Sequence, residues 1–487
     1  MSDILWTGSE VAAACNGRTA GDAAWTVTGV SIDSRTIMPG DLFIPLKGPH
    51  FDGHAFVGQA LAQGAAGAVV ADIPAGFEHD ARLIKVDDTM VALQDLGRMG
   101  RVRATGKVLA VTGSVGKTGT KEALKVALES QGATFATAGS LNNHWGVPLS
   151  LARFPAGSLF GVFELGMNHA GEIGPLSRMV RPDIAIITTV EAVHIEFFAS
   201  VEHIADAKAE IFEGMDPAGT AILPRDNPHY ARLLAAARTQ GLTRVLSFGM
   251  AEGADGRLLS YAPHADHGVA SARIDGVEVT YTLPLPGLHH AVNSLAVLLA
   301  VRAAGGDVAV AARSLAGLAP IKGRGQRRSI DVPGGRFTLI DESYNASPVS
   351  VAASAGVLGQ AMPGPGGRRI AVLGDMRELG DHAPALHVGL VEPVVSAGTD
   401  LVFCCGPNMR HLFDALPAEK RGAHAPDSTT LAPLVTAAIR AGDAVMVKGS
   451  AGSRMALVVE ALKAMDHGRQ DNNPQGNTAG QAGQPRD

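Results

Sequence analysis

The stretch Val108–Thr118, VLAVTGSVGKT, constrains this chain most, because an apolar strand-like run breaks into a glycine-punctuated loop ending in lysine and threonine. Gly113 and Gly116 permit a tight turn around Ser114 and Val115 with N–H groups pointing inward. Lys117 can reach outer phosphates and the Thr118 hydroxyl can ligate Mg²⁺, so the loop through Gly119 reads as a cradle for ATP. The full phosphate-loop pattern asks for a further glycine at the position of Val111, and without it a βα turn with no ligand is the alternative. The flanks favour the cradle: Val108–Val111 is strand-like, and in KEALKVAL at Lys121–Leu128 the residues Ala123, Leu124, Ala127 and Leu128 recur at helical spacing.

With 487 residues, 46% of them hydrophobic and 18% charged, the chain can bury large cores, and it should divide into roughly two to four domains. No run is apolar for long enough to span a membrane, and the start MSDILWTGSE lacks the basic-then-apolar order of a signal peptide, so a cytoplasmic location is expected. Cys15, Cys404 and Cys405 have neither metal-site spacing nor the even count of a disulfide framework, and read as reduced packing residues. The net charge of −6 argues against nucleic acid as a partner, and the basic cluster Lys322–Arg328 suits only a local phosphate contact.

Short apolar runs end repeatedly in polar or glycine-rich turns, at Phe160–Glu164, Asp183–Thr189, Thr338–Glu342, Ile370–Asp375, Leu401–Gly406 and Ala444–Ser450. Helix-length stretches separate most of them, which predicts an α/β protein built on parallel sheets. Composition breaks at Arg98–Gly106 and Pro320–Gly325 divide it into three domains, 1–104, 105–321 and 322–465, with a β-rich insertion near 245–285 and a tail, 466–487, expected to be disordered. In such sheets ligands bind at the carboxyl ends of strands.

Glu164 ends the run LFGVFE, where its carboxylate can hold Mg²⁺ at the same edge as the phosphate loop. His194 follows the next run and either completes a metal shell or is a hydrogen-bonded structural histidine. In SVEHIADAKAEIFEG, Ile204, Lys208, Ile211 and Phe212 share one helical face, which puts an ammonium on an apolar surface. Snorkelling or pairing with an acid would relieve that cost; so would a depressed pKa, which would let the amine react with CO₂ to form a metal-binding carbamate. Asn293, at the start of the helix-like GLHHAVNSLAVLL, can pair with adenine, Arg324 in GRGQ with phosphate, and Asp341 in DESYNASP with ribose hydroxyls; each is also an ordinary helix-start, surface or turn residue.

Together these residues resemble the Mur ligase family of ATP-dependent amide ligases, over about residues 28–460. The likeness rests on TGSVGKT, LNNHWGVPLSL at 141–151, VSIDSRTIMPGDLFIPLKGPHFDGH at 30–54, DESYNASP, VLGDMRELG at 372–380 and VKGS at 447–450. GSVGKT, GDMRELG and VKGS are similar to the branch that adds D-alanyl-D-alanine to a UDP-N-acetylmuramoyl-tripeptide in peptidoglycan precursor synthesis. The resemblance implies a small N-terminal α/β domain binding the UDP end through Ser31, Asp33, Ser34, Arg35 and the turn of Asp52 and His54. It implies a central domain with ATP on the loop, Thr118, Glu164 and His194 around Mg²⁺, and Asn142 and Asn143 facing substrate. It also implies a carbamylated Lys208 supporting a second Mg²⁺, Asn293, Arg324, Asp341 and Asn345 around adenosine and phosphates, and a C-terminal Rossmann-like domain that closes while presenting the dipeptide. The chain is expected to act as a monomer.

Four positions depart from the family pattern: Thr189 stands for the usual Asn, Glu191 for Gly, Gly119 for Ser or Thr, and Ala451 for the Arg after VKGS, leaving Arg454 as the nearby guanidinium. Folylpolyglutamate synthetases share such a loop but begin near it, unlike this chain with its long preceding segment. A nucleotide-driven switch or motor would have no use for the last α/β domain.

Overall fold

The computed structural model describes residues 4–19 and 21–466; the tail beyond 466 lies outside the described residues. Three main sheets follow one another along the chain. The first orders its strands Arg18–Thr19, Leu83–Lys85, Gly67–Val70, Asp41–Phe43 and Gly29–Ser31, with the last four parallel.

The central sheet has nine strands, and Lys107–Thr112 lies inside it between Ile184–Ile187 and Phe160–Glu164. These strands are buried on both faces, as their unbroken apolar runs require. The register aligns Glu164 with Val111 and Ile187 with Thr112, so the phosphate loop, the carboxylate and the turn toward His194 leave the sheet at one edge.

The β-rich insertion is not a separate unit. Gly256–Pro263 adds to the central sheet parallel to Arg244–Gly249, and Gly268–Ile274 and Val277–Leu283 continue it antiparallel. The sheet expected to be parallel is therefore mixed at this edge. The cause is two short connections, 264–267 and Asp275–Gly276, both far too short for a parallel crossover; the second, with φ of 46° and 84°, is a mirror-image hairpin turn.

The third sheet orders Gln326–Val332, Gly335–Glu342, Ala444–Lys448, Arg369–Gly374, Leu401–Cys405 and Arg421–Ala425, parallel except for its first pair. The cysteines are free and buried, with burial pushing the Cys15 and Cys405 thiols up to about 12, which suits packing rather than redox chemistry.

The segment Arg98–Gly106, read from composition as a break between domains, is mostly helix. Thr89–Arg103 is continuous, and its glycines serve close packing rather than a turn. A Cβ on Gly97 would lie 2.8 Å from the Pro148 carbonyl oxygen, and one on Gly100 would overlap the Leu151 carbonyl. The helix thus lies backbone to backbone against Gly146–Ala152 of the central layer. Arg101 Nε donates to Val180 O at 2.7 Å, Trp6 Nε1 donates to Ala152 O at 2.8 Å, and the Arg103 guanidinium sits 3.3 Å over the Trp6 ring. The first two layers are welded here. Gly100→Ala is expected to destabilise the protein by about 1–3 kcal/mol, read as a lower denaturant midpoint with unchanged slope, whereas Met99→Ala on the exposed face should fall within about 0.5 kcal/mol.

Candidate active site

Both loop glycines are required twice over. Gly113 and Gly116 have φ of 146° and 87°; a Cβ on Gly113 would collide with Thr188 Oγ1, and one on Gly116 would lie 2.7 Å from Asn293 Nδ2. The loop is laced to the next strand end: Ser114 N donates to Thr189 O, and the Ser114 hydroxyl donates to Glu191 O and accepts from Glu191 N. Thr188 Oγ1 donates to Val115 O at 2.6 Å. The helix Lys117–Glu129 starts directly after Gly116, so its unpaired N–H groups and positive dipole end face the loop. Thr118 is buried there, and Lys117 Nζ donates to Gly113 O at 2.6 Å.

Glu164 is 1% exposed. Its Oε1 accepts from Asn142 Nδ2 at 2.7 Å, while its Oε2 is buried without a hydrogen-bond partner. A carboxylate oxygen left so is costly unless a cation meets it, which is the chemistry expected of an Mg²⁺ ligand. Among the described residues no three His, Cys, Asp or Glu side chains converge as a metal site.

Lys208 is 2% exposed near the end of the helix Val201–Ala209, with Ile204, Ile211 and Phe212 buried around the same face, as the spacing predicts. Neither snorkelling nor an ion pair relieves it: no carboxylate lies within ion-pair distance among the described residues. Burial, reinforced by the charge of Lys117, holds its amine well below the ordinary lysine range. Burial also lowers Lys117, against the attraction of Glu164 and with the repulsion of Arg324. His194 bonds through Nδ1 to the Glu378 carboxylate, and burial keeps its pKa below the ordinary imidazole value despite that carboxylate.

The third layer contributes a second group. Arg324 stacks 4.0 Å over the Tyr344 ring, and the Tyr344 hydroxyl hydrogen-bonds Ser140 of the central layer. Asp341 is buried and accepts from Ser343 N and Oγ. Asn345 is exposed, and its carbonyl accepts from Lys448 Nζ at 3.1 Å. Lys448 faces Glu342 at 3.7 Å, where burial pushes both groups toward their neutral forms. Asn143, expected to face substrate, accepts from Gly146 N through Oδ1 at 2.9 Å, in the turn before the helix Gly146–Ala152.

The N-terminal group forms its own turns. Ser31 Oγ bonds Asp33 O and N; Asp33 caps the turn Ser34–Thr36 and grips the Arg35 guanidinium at 2.9 and 2.6 Å, which holds its carboxyl down to about 2. Asp52 accepts from His54 N and Nδ1, and His54 Nε2 accepts from Ala71 N. No hydrogen bond or ion pair links this group to the phosphate loop among the described residues.

The departures close on themselves. Thr189 Oγ1 donates to Glu191 Oε1 at 3.0 Å and accepts from Asn227 Nδ2 at 3.1 Å. Gly119 has open space where a Cβ would point. At the turn with Ala451 the guanidinium in contact is that of Arg377, which donates to Gly452 O at 2.9 Å, while Arg454 ends the turn at φ 53°.

Two side chains that touch the site's elements escaped the sequence reading. Lys121 is fully buried and donates to Thr137 O at 2.6 Å and Gly139 O at 2.9 Å, tying the loop helix to the segment that leads to Asn142. The periodicity that singled out Lys208 also put Lys121 on the face of Leu124 and Leu128. Glu378 lies in GDMRELG just past the strand Arg369–Gly374, and only its strand-end position could have marked it.

Family models match in three consecutive pieces: Mur ligase family, catalytic domain at residues 26–100; Mur ligase middle domain at 111–301; and Mur ligase, glutamate ligase domain at 323–451. The UDP-N-acetylmuramoyl-tripeptide–D-alanyl-D-alanine ligase of Rickettsia prowazekii (strain Madrid E) is 33% identical over 431 residues, which are 88% of this chain and 94% of that one. A crystal structure of MurF from Acinetobacter baumannii superposes with a TM-score of 0.80 at 30% identity, covering 94% of this chain and 99% of the other. MurF ligase from Thermotoga maritima, solved in complex with ADP, does so with 0.75 at 28% identity, covering 91% and 98%. With the phosphate loop, the orphan carboxylate and the buried lysine on one sheet edge, and with matches running through all three layers, the chain belongs to the Mur ligase family.

Proposed function

We propose that this chain joins D-alanyl-D-alanine to the terminal carboxylate of a UDP-N-acetylmuramoyl-tripeptide, spending ATP, in the cytoplasmic synthesis of peptidoglycan precursors. The observation that carries this is the pairing of the glycine-gated phosphate loop with Glu164 Oε2, a buried acceptor without a protein donor, beside two buried amines. The names of the relatives supply the substrates.

The tripeptide carboxylate attacks the γ-phosphorus of ATP; the bond to the bridging oxygen breaks, and ADP leaves with that electron pair. The dipeptide amine then attacks the acyl carbon, loses a proton and expels phosphate. Two anions meet in the first step, so the positive charge must be in place beforehand. Lys117 and the N–H groups opening the helix Lys117–Glu129 supply it at the loop, and Arg324 adds to it from the third layer. Thr118, Glu164 and His194 fit Mg²⁺, which when bound would neutralise phosphate charge and polarise the attacked phosphorus. Asn142 orients Glu164, Asn293 and Asp341 take the nucleoside, and Asn345 and Asn143 frame the site. The turns of Ser31, Ser34, Arg35 and His54 take the UDP end. The limits 1–104, 105–321 and 322–465 describe the working domains, and one chain carries every residue of the scheme, as a monomer requires.

Lys208 carries a second part of the reading. Its lowered pKa favours the uncharged amine over the ammonium, so nitrogen attacks CO₂, forms an N–C bond and releases a proton. The resulting carbamate anion meets the buried charge of Lys117 and supports a second Mg²⁺.

Phosphate release should require ATP together with both the UDP-muramoyl-tripeptide and D-alanyl-D-alanine, and Lys117→Ala should abolish it. No turnover with either the lysine or the diaminopimelate tripeptide would sink the assignment. Because burial and the charge of Lys117 lower the pKa of the amine, more of it is neutral at a given pH than of an ordinary lysine, so ¹³C-bicarbonate should label this position and the label should fade as the pH is lowered and the amine is protonated. Lys208→Ala should lose both label and activity, and excess bicarbonate should restore neither; an active, unlabelled wild type would refute the carbamate.

A further inference from the structure

The Glu378–His194 contact joins two layers of the fold. His194 lies in the turn after Ile184–Ile187 of the central sheet, and Glu378 lies in the loop after Arg369–Gly374 of the third. Both residues adopt left-handed backbone, with φ of 60° and 62°. Neither is glycine, and each such conformation costs about 1–2 kcal/mol, so the surrounding structure holds them there.

The facing backbones also meet. Glu196 N donates to Glu378 O at 3.3 Å, and Gly380, at φ 53°, approaches Glu196 so closely that a Cβ would lie 3.4 Å from its Cα. The loop that presents Glu378 is fixed at its base. Asp375 accepts from Met409 N at 2.7 Å, Met376 N donates to His387 Nε2 at 3.1 Å, and Arg377 N donates to Ser450 Oγ at 2.9 Å. Glu378 is thus delivered to the imidazole by a built turn of the third layer.

A carboxylate only accepts hydrogen bonds, so His194 Nδ1 carries the proton and Nε2 keeps the lone pair. Metal-binding imidazoles are held in just this way, through the ring nitrogen that does not touch the ion. We propose that Glu378 is a positioning residue for the metal site: it fixes the tautomer and ring orientation of His194 from the third layer, so that metal affinity depends on that layer being docked. The inference rests on the reading of Thr118, Glu164 and His194 as Mg²⁺ ligands. The imidazole is close enough to Lys117 and Lys208 for both amines to act on its charge, which places it among the groups of that site.

The test is Mn²⁺ binding by electron paramagnetic resonance to the full chain with a non-hydrolysable ATP analogue, without any turnover. Glu378→Ala is expected to weaken binding by about 10–100-fold. Glu378→Gln, which keeps the length and an oxygen acceptor, should lose less. His194→Ala should weaken binding as well, and adding Glu378→Ala to it should cost no more than about twofold further, because Glu378 acts through His194. Wild-type affinity in Glu378→Ala, or a Glu378 effect that persists undiminished without His194, would overturn the proposal. Wild-type affinity in His194→Ala would instead overturn the metal reading beneath it, and the proposal with it.

Discussion

The arrangement depends on positive charge buried together. Lys208 lies buried and Lys117 half-buried within reach of each other's field, Arg324 adds to it, and Glu164 is the acid that opposes Lys117. An isolated buried ammonium costs several kcal/mol, of order 3–5 where a partner is removed. This chain meets that cost partly by lowering the affinity of both amines for protons. A nucleotide triphosphate and a substrate carboxylate bring the missing negative charge, so the charge imbalance of the protein alone is the complement of its reactants. The same field lowers the repulsion between the attacking carboxylate and the γ-phosphate, which makes burial of these lysines useful to the chemistry as well as costly to the fold.

Sheet register brings that charge to one place. With Lys107–Thr112 paired to both Phe160–Glu164 and Ile184–Ile187, three chain segments far apart in sequence end side by side. Gly113 and Gly116 then let the loop press against Thr188 and Asn293 closely enough for its carbonyls and amides to be held from both sides. The helix Leu288–Ala303 is buried along Leu295–Val301, so Asn293 is carried by an element that cannot slide.

Much of this was legible in the sequence because it is local or periodic. The strand, loop and helix around Val108–Thr118 follow from apolar runs and glycine spacing, and Lys208 followed from helical spacing alone. Other features depend on shape that spacing does not encode. The segment Arg98–Gly106 read as a composition break, but that the helix Thr89–Arg103 runs into it, with Gly100 packed on Leu151, did not show, since close helix packing and a loop call for the same residue. The sheet turns antiparallel at the short connections 264–267 and Asp275–Gly276, where alternation and turn residues showed a β-rich insertion but not that its strands extend the central sheet. Glu378 was out of reach, because it acts on His194 across 184 positions through two left-handed turns.

The three layers are not joined alike. The first meets the central layer through helix backbones that a single methyl would force apart, and through the Trp6 and Arg103 contacts at Ala152 and Phe154. Around the site, the third layer meets the central one through side-chain pairs, Tyr344 with Ser140 and Glu378 with His194, through the backbone bond from Glu196, and through a shared apolar cluster that includes Ile195 and Ile211 on one side and Met376 and Leu379 on the other. Backbone packing of the first kind has no second arrangement available, whereas polar side-chain pairs can be broken and remade at little cost. An enzyme that must admit a second substrate and then keep an acyl phosphate from water needs one rigid half and one that closes. On the proposed function, the first two layers would form the block and the third layer, which carries Arg324, Lys448 and Glu378, would be the half that closes, sliding on the apolar surface it shares with the central layer.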